Sequence, residues 1–150
     1  MGEMTMYKRI LIPTDGSEAS QRAILAAVDF ARDAGADVVG LTATPEFHVV
    51  STDASVLEAT PEEYAANTAA LAGRRLAAIE NAAREAGVAC RTEHVSGDDP
   101  YAAIIAAAER NGCDLIIMAS HGRRGLKGLL LGSETQKVLV HSTLPVLVHR

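Results

Sequence analysis

Strand-like and helix-like segments alternate along this chain from end to end, and that alternation limits the fold more than any other feature. Tyr7 to Thr14 reads as a first strand, and its Ile10-Leu11-Ile12 run suits a strand buried on both faces. Ser17 opens a helix to Ala34, with Ala23, Ile24, Ala27, Val28 and Ala31 on one face and Gly35 as its stop. Asp37 to Ala43 is the second strand. Thr60-Pro61-Glu62-Glu63 starts a second helix with a capping box, and Gly87 ends it after Ala86. Val88 to Val95 is the third strand, Asp99 caps a helix that Asn111-Gly112 stops, and Asp114 to Ala119 is the fourth strand. A last helix runs from Ser133 to His141, and Pro145 to His149 is the fifth strand. Such a pattern argues for an α/β domain, a parallel sheet covered by helices on both faces. It leaves the strand order open. Residues 1–6 read as a flexible N-terminus and 7–150 as one domain, with Thr44 to Ala59 as a flap or a disordered insertion.

Composition then removes several functions. The apolar share of 48% in 150 residues supports one sizeable core, built largely from alanine and without tryptophan. A formal charge of -5 and 3% aromatics argue against general nucleic-acid binding, which needs dense cations and stacking rings. Cys90 and Cys113 have neither metal nor CxxC spacing and read as reduced, partly buried thiols. The His residues lack ligand spacing, and Asp98 and Asp99 read as helix caps before Pro100. The Met1 to Met6 segment has no apolar signal region and no run approaches a membrane span, so a cytoplasmic location is expected.

In open α/β sheets, ligands bind at the carboxyl ends of strands. After the first strand comes Pro13-Thr14-Asp15-Gly16, and after the fourth comes a segment from Ser120 to Ser133 with four glycines, Arg123, Arg124 and Lys127. Gly122, Gly125 and Gly128 permit turns whose amides converge on an anion, and Gly132-Ser133 opens a helix whose N–H groups point outward. The alternative is a loop that only reverses the chain. Ser133 either caps its helix with Gln136 at the third position or bonds a phosphate oxygen. Asp15 either contacts a ligand or precedes the first helix as a cap, and Arg123 and Arg124 either reach phosphate or remain solvated. Neither GxxxxGK[ST] nor a GxG element is present. His121 follows Ser120, but adjacent side chains on an extended segment should point apart, and no GxSxG elbow exists for a hydrolase.

Taken together, Gly122-x9-Gly132-Ser133, the Pro13-Thr14-Asp15-Gly16-Ser17 start and the Pro145-Val146-Leu147-Val148 ending resemble the universal stress protein family across Tyr7 to Arg150. The resemblance implies a flavodoxin/Rossmann-like three-layer sandwich with a five-stranded parallel sheet of order 3-2-1-4-5. It also implies a homodimer through residues 145–149 and an ATP site with the motif G-x2-G-x9-G-[ST]. Gly122, Gly132 and Ser133 match that motif, whereas Ala119 stands where its first glycine is expected and adds a methyl near the phosphate path. By the same resemblance Pro13 and Thr14 line the nucleoside pocket, and Asp15 holds the ribose or a metal-bound phosphate. Ala43 offers backbone groups to adenine, and Met118 lies beside sugar and base. Glu134 and Thr135 follow Ser133 at the phosphate, with His121, Arg123 and Arg124 in the preceding loop. ATP, or ADP or AMP, would bring Mg²⁺ with it.

The implied function is an ATP-responsive regulator of a stress response acting through an unknown protein partner. Alternatives are a dimeric scaffold without nucleotide, for which Ala119 speaks, and a slow ATP hydrolase. An ATP pyrophosphatase is disfavoured because PTDGS does not match its SGGxDS-like loop.

Overall fold

The computed structural model describes residues 6–47, 60–121 and 131–150. Among these described residues five strands and four helices alternate: β1 (Arg9–Pro13), α1 (Glu18–Ala34), β2 (Asp37–Thr44), α2 (Pro61–Ala86), β3 (Cys90–Ser96), α3 (Pro100–Arg110), β4 (Leu115–Ala119), α4 (Ser133–His141) and β5 (Val146–His149). All strand pairs are parallel, and the sheet order is β3-β2-β1-β4-β5. Both the α/β class and the order implied by the resemblance are therefore observed.

Local chemistry accounts for most element ends. Ser17 caps α1 by accepting the Ser20 N–H at 3.2 Å. Thr60 and Glu63 form the reciprocal capping box of α2. Gly35 and Gly87 close the two helices in the left-handed region, at φ 69° and 71°, where a side chain would be strained. The Gly87 closure also sends the Val88 N–H back to Ala83 O at 2.8 Å. Val88 thus belongs to the helix cap, and β3 begins at Cys90 rather than Val88. Asp114 similarly precedes β4, because its carboxylate accepts the N–H groups of Lys8 and Arg9 at 2.8 and 3.1 Å and fixes the entry to β1.

Strand parity divides the interior in two. Ile10, Ile12, Val38, Leu115 and Ile117 face α1 and α2, where Ile24, Ala27, Val28, Leu76 and Ile79 cover them. Leu11, Val39, Leu41, Ile116 and Met118 face α3 and α4, where Ile104, Ala107, Ala108 and Val138 cover them. Ile10, Leu11 and Ile12 are all buried, as a central strand between two helical layers requires. Gly40 lets α2 approach β2, since a Cβ there would stand 2.9 Å from Ile79 Cδ1.

Two expected caps take other forms. Asp99 sits at the N-cap of α3 without a side-chain cap bond. The Glu134 carboxylate of α4 instead accepts the Tyr101 N–H at 3.0 Å. Asp98 accepts the Glu46 N–H at 3.1 Å and holds the segment that leaves β2. That segment is further held by Tyr64, whose hydroxyl donates to Pro45 O at 2.7 Å. Of the expected flap, Thr44 closes β2, while residues 48–59 lie outside the described ones, as do residues 1–5. No helix among the described residues is long and apolar enough to cross a membrane.

Candidate functional site

The chain runs outward from β1 through β2 to β3, then returns to the other side of β1 for β4 and β5. Connections on either side of that reversal leave opposite faces of the sheet, so a crevice opens at the carboxyl ends of β1 and β4. A cavity of about 460 Å³ occupies this place. Its size falls within the range of small-molecule sites.

The β1 side is built by a tight turn. Thr14 N–H donates to Leu41 O at 2.8 Å, and the Thr42 hydroxyl donates to Thr14 O at 2.7 Å, which locks β1 to β2 at the cavity floor. Gly16, at φ 80°, reverses the chain into α1. Asp15 Oδ1 accepts the Ser17 N–H at 2.9 Å and the Ser20 hydroxyl at 2.8 Å. Of the two readings of Asp15, these bonds show the one tied to the first helix. Asp15 braces the start of α1 and also lines the cavity.

The β4 side is built by α4. Its N-cap is Gly132, and among the described residues no side chain caps the helix. Ser133 is accordingly the first helical residue and not the cap, and Gln136 donates its side-chain amide to Leu131 O at 3.0 Å. Gly132 N–H is committed to Ser120 O at 2.6 Å. The amides of Ser133, Glu134 and Thr135 have no intrahelical acceptor, because the ladder begins with Gln136 N–H on Gly132 O. The buried Thr135 hydroxyl donates to Ala119 O at 3.0 Å and seats α4 on the end of β4.

Eleven of the residues singled out from the sequence line this one cavity: Pro13, Thr14, Asp15, Ala43, Met118, Ala119, His121, Gly132, Ser133, Glu134 and Thr135. Gly122, Arg123 and Arg124 lie outside the described residues. Ser120 and His121 do not point apart. Their Oγ and Nδ1 are 3.1 Å apart, because the chain bends after β4 rather than continuing extended. Ser120 is not among the side chains that line the cavity, so the pair does not present a nucleophile to a ligand there.

The sequence did not flag Leu41, Pro45, Gly97 and Ile104, which add apolar wall, or Arg75, which reaches the cavity from α2. Arg75 follows the buried Ala72 by three residues and precedes the buried Ile79 by four, and this flank position was the only hint of its direction. Asp15, Asp98 and Glu134 contribute carboxylates, and Arg75 and His121 the basic groups, among the described lining residues. Neither cysteine lines the cavity. Both are free thiols, and burial pushes Cys113 up to about 11 and, with Glu80 nearby, also raises Cys90.

Comparisons with known proteins agree with this architecture. The family model described as Universal stress protein family matches residues 6–150. Universal stress protein MJ0531 of Methanocaldococcus jannaschii is 33% identical, over 95% of this chain and 82% of the relative. The solved structure of MJ0577, from the same organism, superposes with a TM-score of 0.79 at 32% identity, covering 95% of each chain. A universal stress protein solved in complex with cAMP shares the fold, with a TM-score of 0.66 at 23% identity over 96% of this chain and 97% of that one. By its sequence along nearly the whole length and by its sheet order, the chain belongs to the universal stress protein family.

Proposed function

We propose that this protein binds ATP, or its products ADP and AMP, in the cavity between the ends of β1 and β4, and that it acts as a nucleotide-responsive regulator in a stress response. The observation that carries this reading is the start of α4, which no side chain caps among the described residues and whose first residues line a cavity of nucleoside-compatible size. Free N–H groups and the positive helix end suit a phosphate. In this assignment Ser133, Glu134 and Thr135 offer amides to the phosphates, and Ser133 adds its hydroxyl. Gly122, Arg123, Arg124 and His121 complete the phosphate side. Pro13, Thr14 and Met118 pack on the nucleoside, the backbone of Ala43 meets adenine, and Asp15 takes the ribose. That a protein of this fold holds cAMP supports an adenine nucleotide as the ligand class.

Mg²⁺ belongs to the same proposal as a companion of the phosphates. Among the described residues no group of three His, Cys, Asp or Glu could hold a metal ion, so the phosphates would supply most of its ligands. Of the lining carboxylates Asp15, Asp98 and Glu134, this reading takes Asp15 as the one that would join them, as the alternative to its ribose contact. No catalytic residue is assigned, and any hydrolysis is expected to be slow.

A homodimer through 145–149 is part of the reading. β5 is an edge of the sheet, and Leu147 on it is 38% exposed, while Leu139 and Val140 of α4 are also exposed. Exposed edges of this kind are protected by pairing. The proposed location is the cytoplasm. A second reading, a dimeric scaffold without nucleotide, is favoured by one observation: the Ala119 methyl stands in the cavity wall. Calorimetric titration with ATP and Mg²⁺, together with mass spectrometry of nucleotide carried through purification, separates the two. Saturable binding supports the regulator, and its absence at millimolar ATP leaves the scaffold.

A further inference from the structure

We infer that Arg75 of α2 is a ligand-contacting residue that holds the nucleoside half of the bound molecule, an inference that rests on the nucleotide reading of this cavity. Arg75 is half-buried, and its side chain lines the cavity. The stem is seated against the turn after β1. A Cβ built on Gly16 would lie 3.2 Å from Arg75 Nε, 3.3 Å from Cγ and 3.5 Å from Cδ. Glycine is favoured there by its φ of 80°, and its missing Cβ leaves room for this contact. A long side chain packed along backbone in this way presents its head group with less conformational freedom to lose on binding.

The sheet determines which half of the ligand the guanidinium meets. α2 packs on β2 and β3, whereas the start of α4 is fixed to the end of β4 by Thr135. β2 and β4 flank β1, so their ends lie about two strand spacings, roughly 10 Å, apart. Phosphates at the α4 amides therefore leave the nucleoside pointing toward β2, where Arg75 approaches beside Asp15 and Gly16. A guanidinium is flat and only donates, so it can lie on the face of a base or donate to its ring nitrogens and to ribose oxygens.

The test is calorimetry of the full chain with adenosine and with ATP, comparing Arg75→Met, which keeps much of the stem, and Arg75→Lys, which keeps the charge. The expected result is a loss of affinity of about tenfold to a hundredfold for Arg75→Met, equal for the two ligands, and a smaller equal loss for Arg75→Lys. In the wild-type protein, adenosine should slow the modification of Arg75 by phenylglyoxal, a readout that requires no variant. Affinities unchanged in Arg75→Met, a loss confined to ATP, or unprotected Arg75 at saturating adenosine would each overturn this inference while leaving the nucleotide site in place. Failure of the wild-type protein to bind either ligand would overturn the site itself.

Discussion

The carboxylate of Glu134 accepts the backbone N–H of Tyr101 at 3.0 Å, so the first turn of α4 caps the first turn of α3. Two helix starts that border the same cavity are thereby tied together, although 33 residues separate the partners. Helix starts attract carboxylates, and Asp99, the nearer candidate in sequence, makes no such bond. Glu134→Ala should lower stability by about 1–2 kcal/mol, and Glu134→Gln by less, because the amide oxygen still accepts. Urea denaturation measures both.

Thr135 is expected to matter twice. Its hydroxyl is buried and donates to Ala119 O, so Thr135→Val removes a bond and leaves that carbonyl short of a partner. A cost of about 1–2 kcal/mol follows. The same change loosens the seat of α4, so ATP affinity should fall with stability, as thermal melts with and without nucleotide would register.

Gly132→Val separates site from fold. Gly132 has φ -67° and ψ 158°, a conformation open to any residue, so its glycine is not required by backbone strain. The new side chain is instead expected to take up space at the cavity that Gly132 lines. The variant should keep its circular dichroism spectrum and lose more than about tenfold in ATP affinity.

Gly40→Ala should affect stability alone. The added methyl meets Ile79 Cδ1 at 2.9 Å and Thr92 Cγ2 at 3.2 Å, inside the layer packed between β2 and α2, and none of these three residues lines the cavity. Overpacking of this kind costs about 1–3 kcal/mol. Denaturant midpoints should fall, and ATP affinity should not change.

Alkaline pH offers a further check. The folded protein raises the Cys113 thiol from 9.0 to about 11, so the native state retains a proton that the unfolded chain loses first. The stabilising effect of that thiol is fully present below pH 9 and fades as pH rises toward 11. Cys113→Ala should show a shallower loss of stability across that window than the wild-type protein.

Much of this fold is legible in the sequence because its punctuation is local. Ser17, Thr60, Glu63, Gly35 and Gly87 act through hydrogen bonds and dihedral angles within one turn of their own position. Alternation of strands and helices is likewise visible in short windows, but the strand order is not, and it came from family resemblance. Val88 reads in the sequence as the first residue of a strand, whereas its hydrogen bond to Ala83 makes it part of a helix end. Pro13 to Asp15, Gly132 and Ser133 are marked in the sequence by a strand end and a helix start, whereas Glu134 and Thr135 follow only from the family resemblance. Arg75 and the Glu134–Tyr101 bond could not be read there, since each depends on how two distant segments pack.

The most direct test follows the backbone amide resonances of Ser133, Glu134 and Thr135 in an isotope-labelled sample during titration with ATP and Mg²⁺. Saturable shifts at these amides and at Ala43, with β3 unaffected, are the predicted result. Amides of the α4 start that stay unmoved at millimolar ATP, or shifts confined to another face of the sheet, would contradict the placement of the triphosphate.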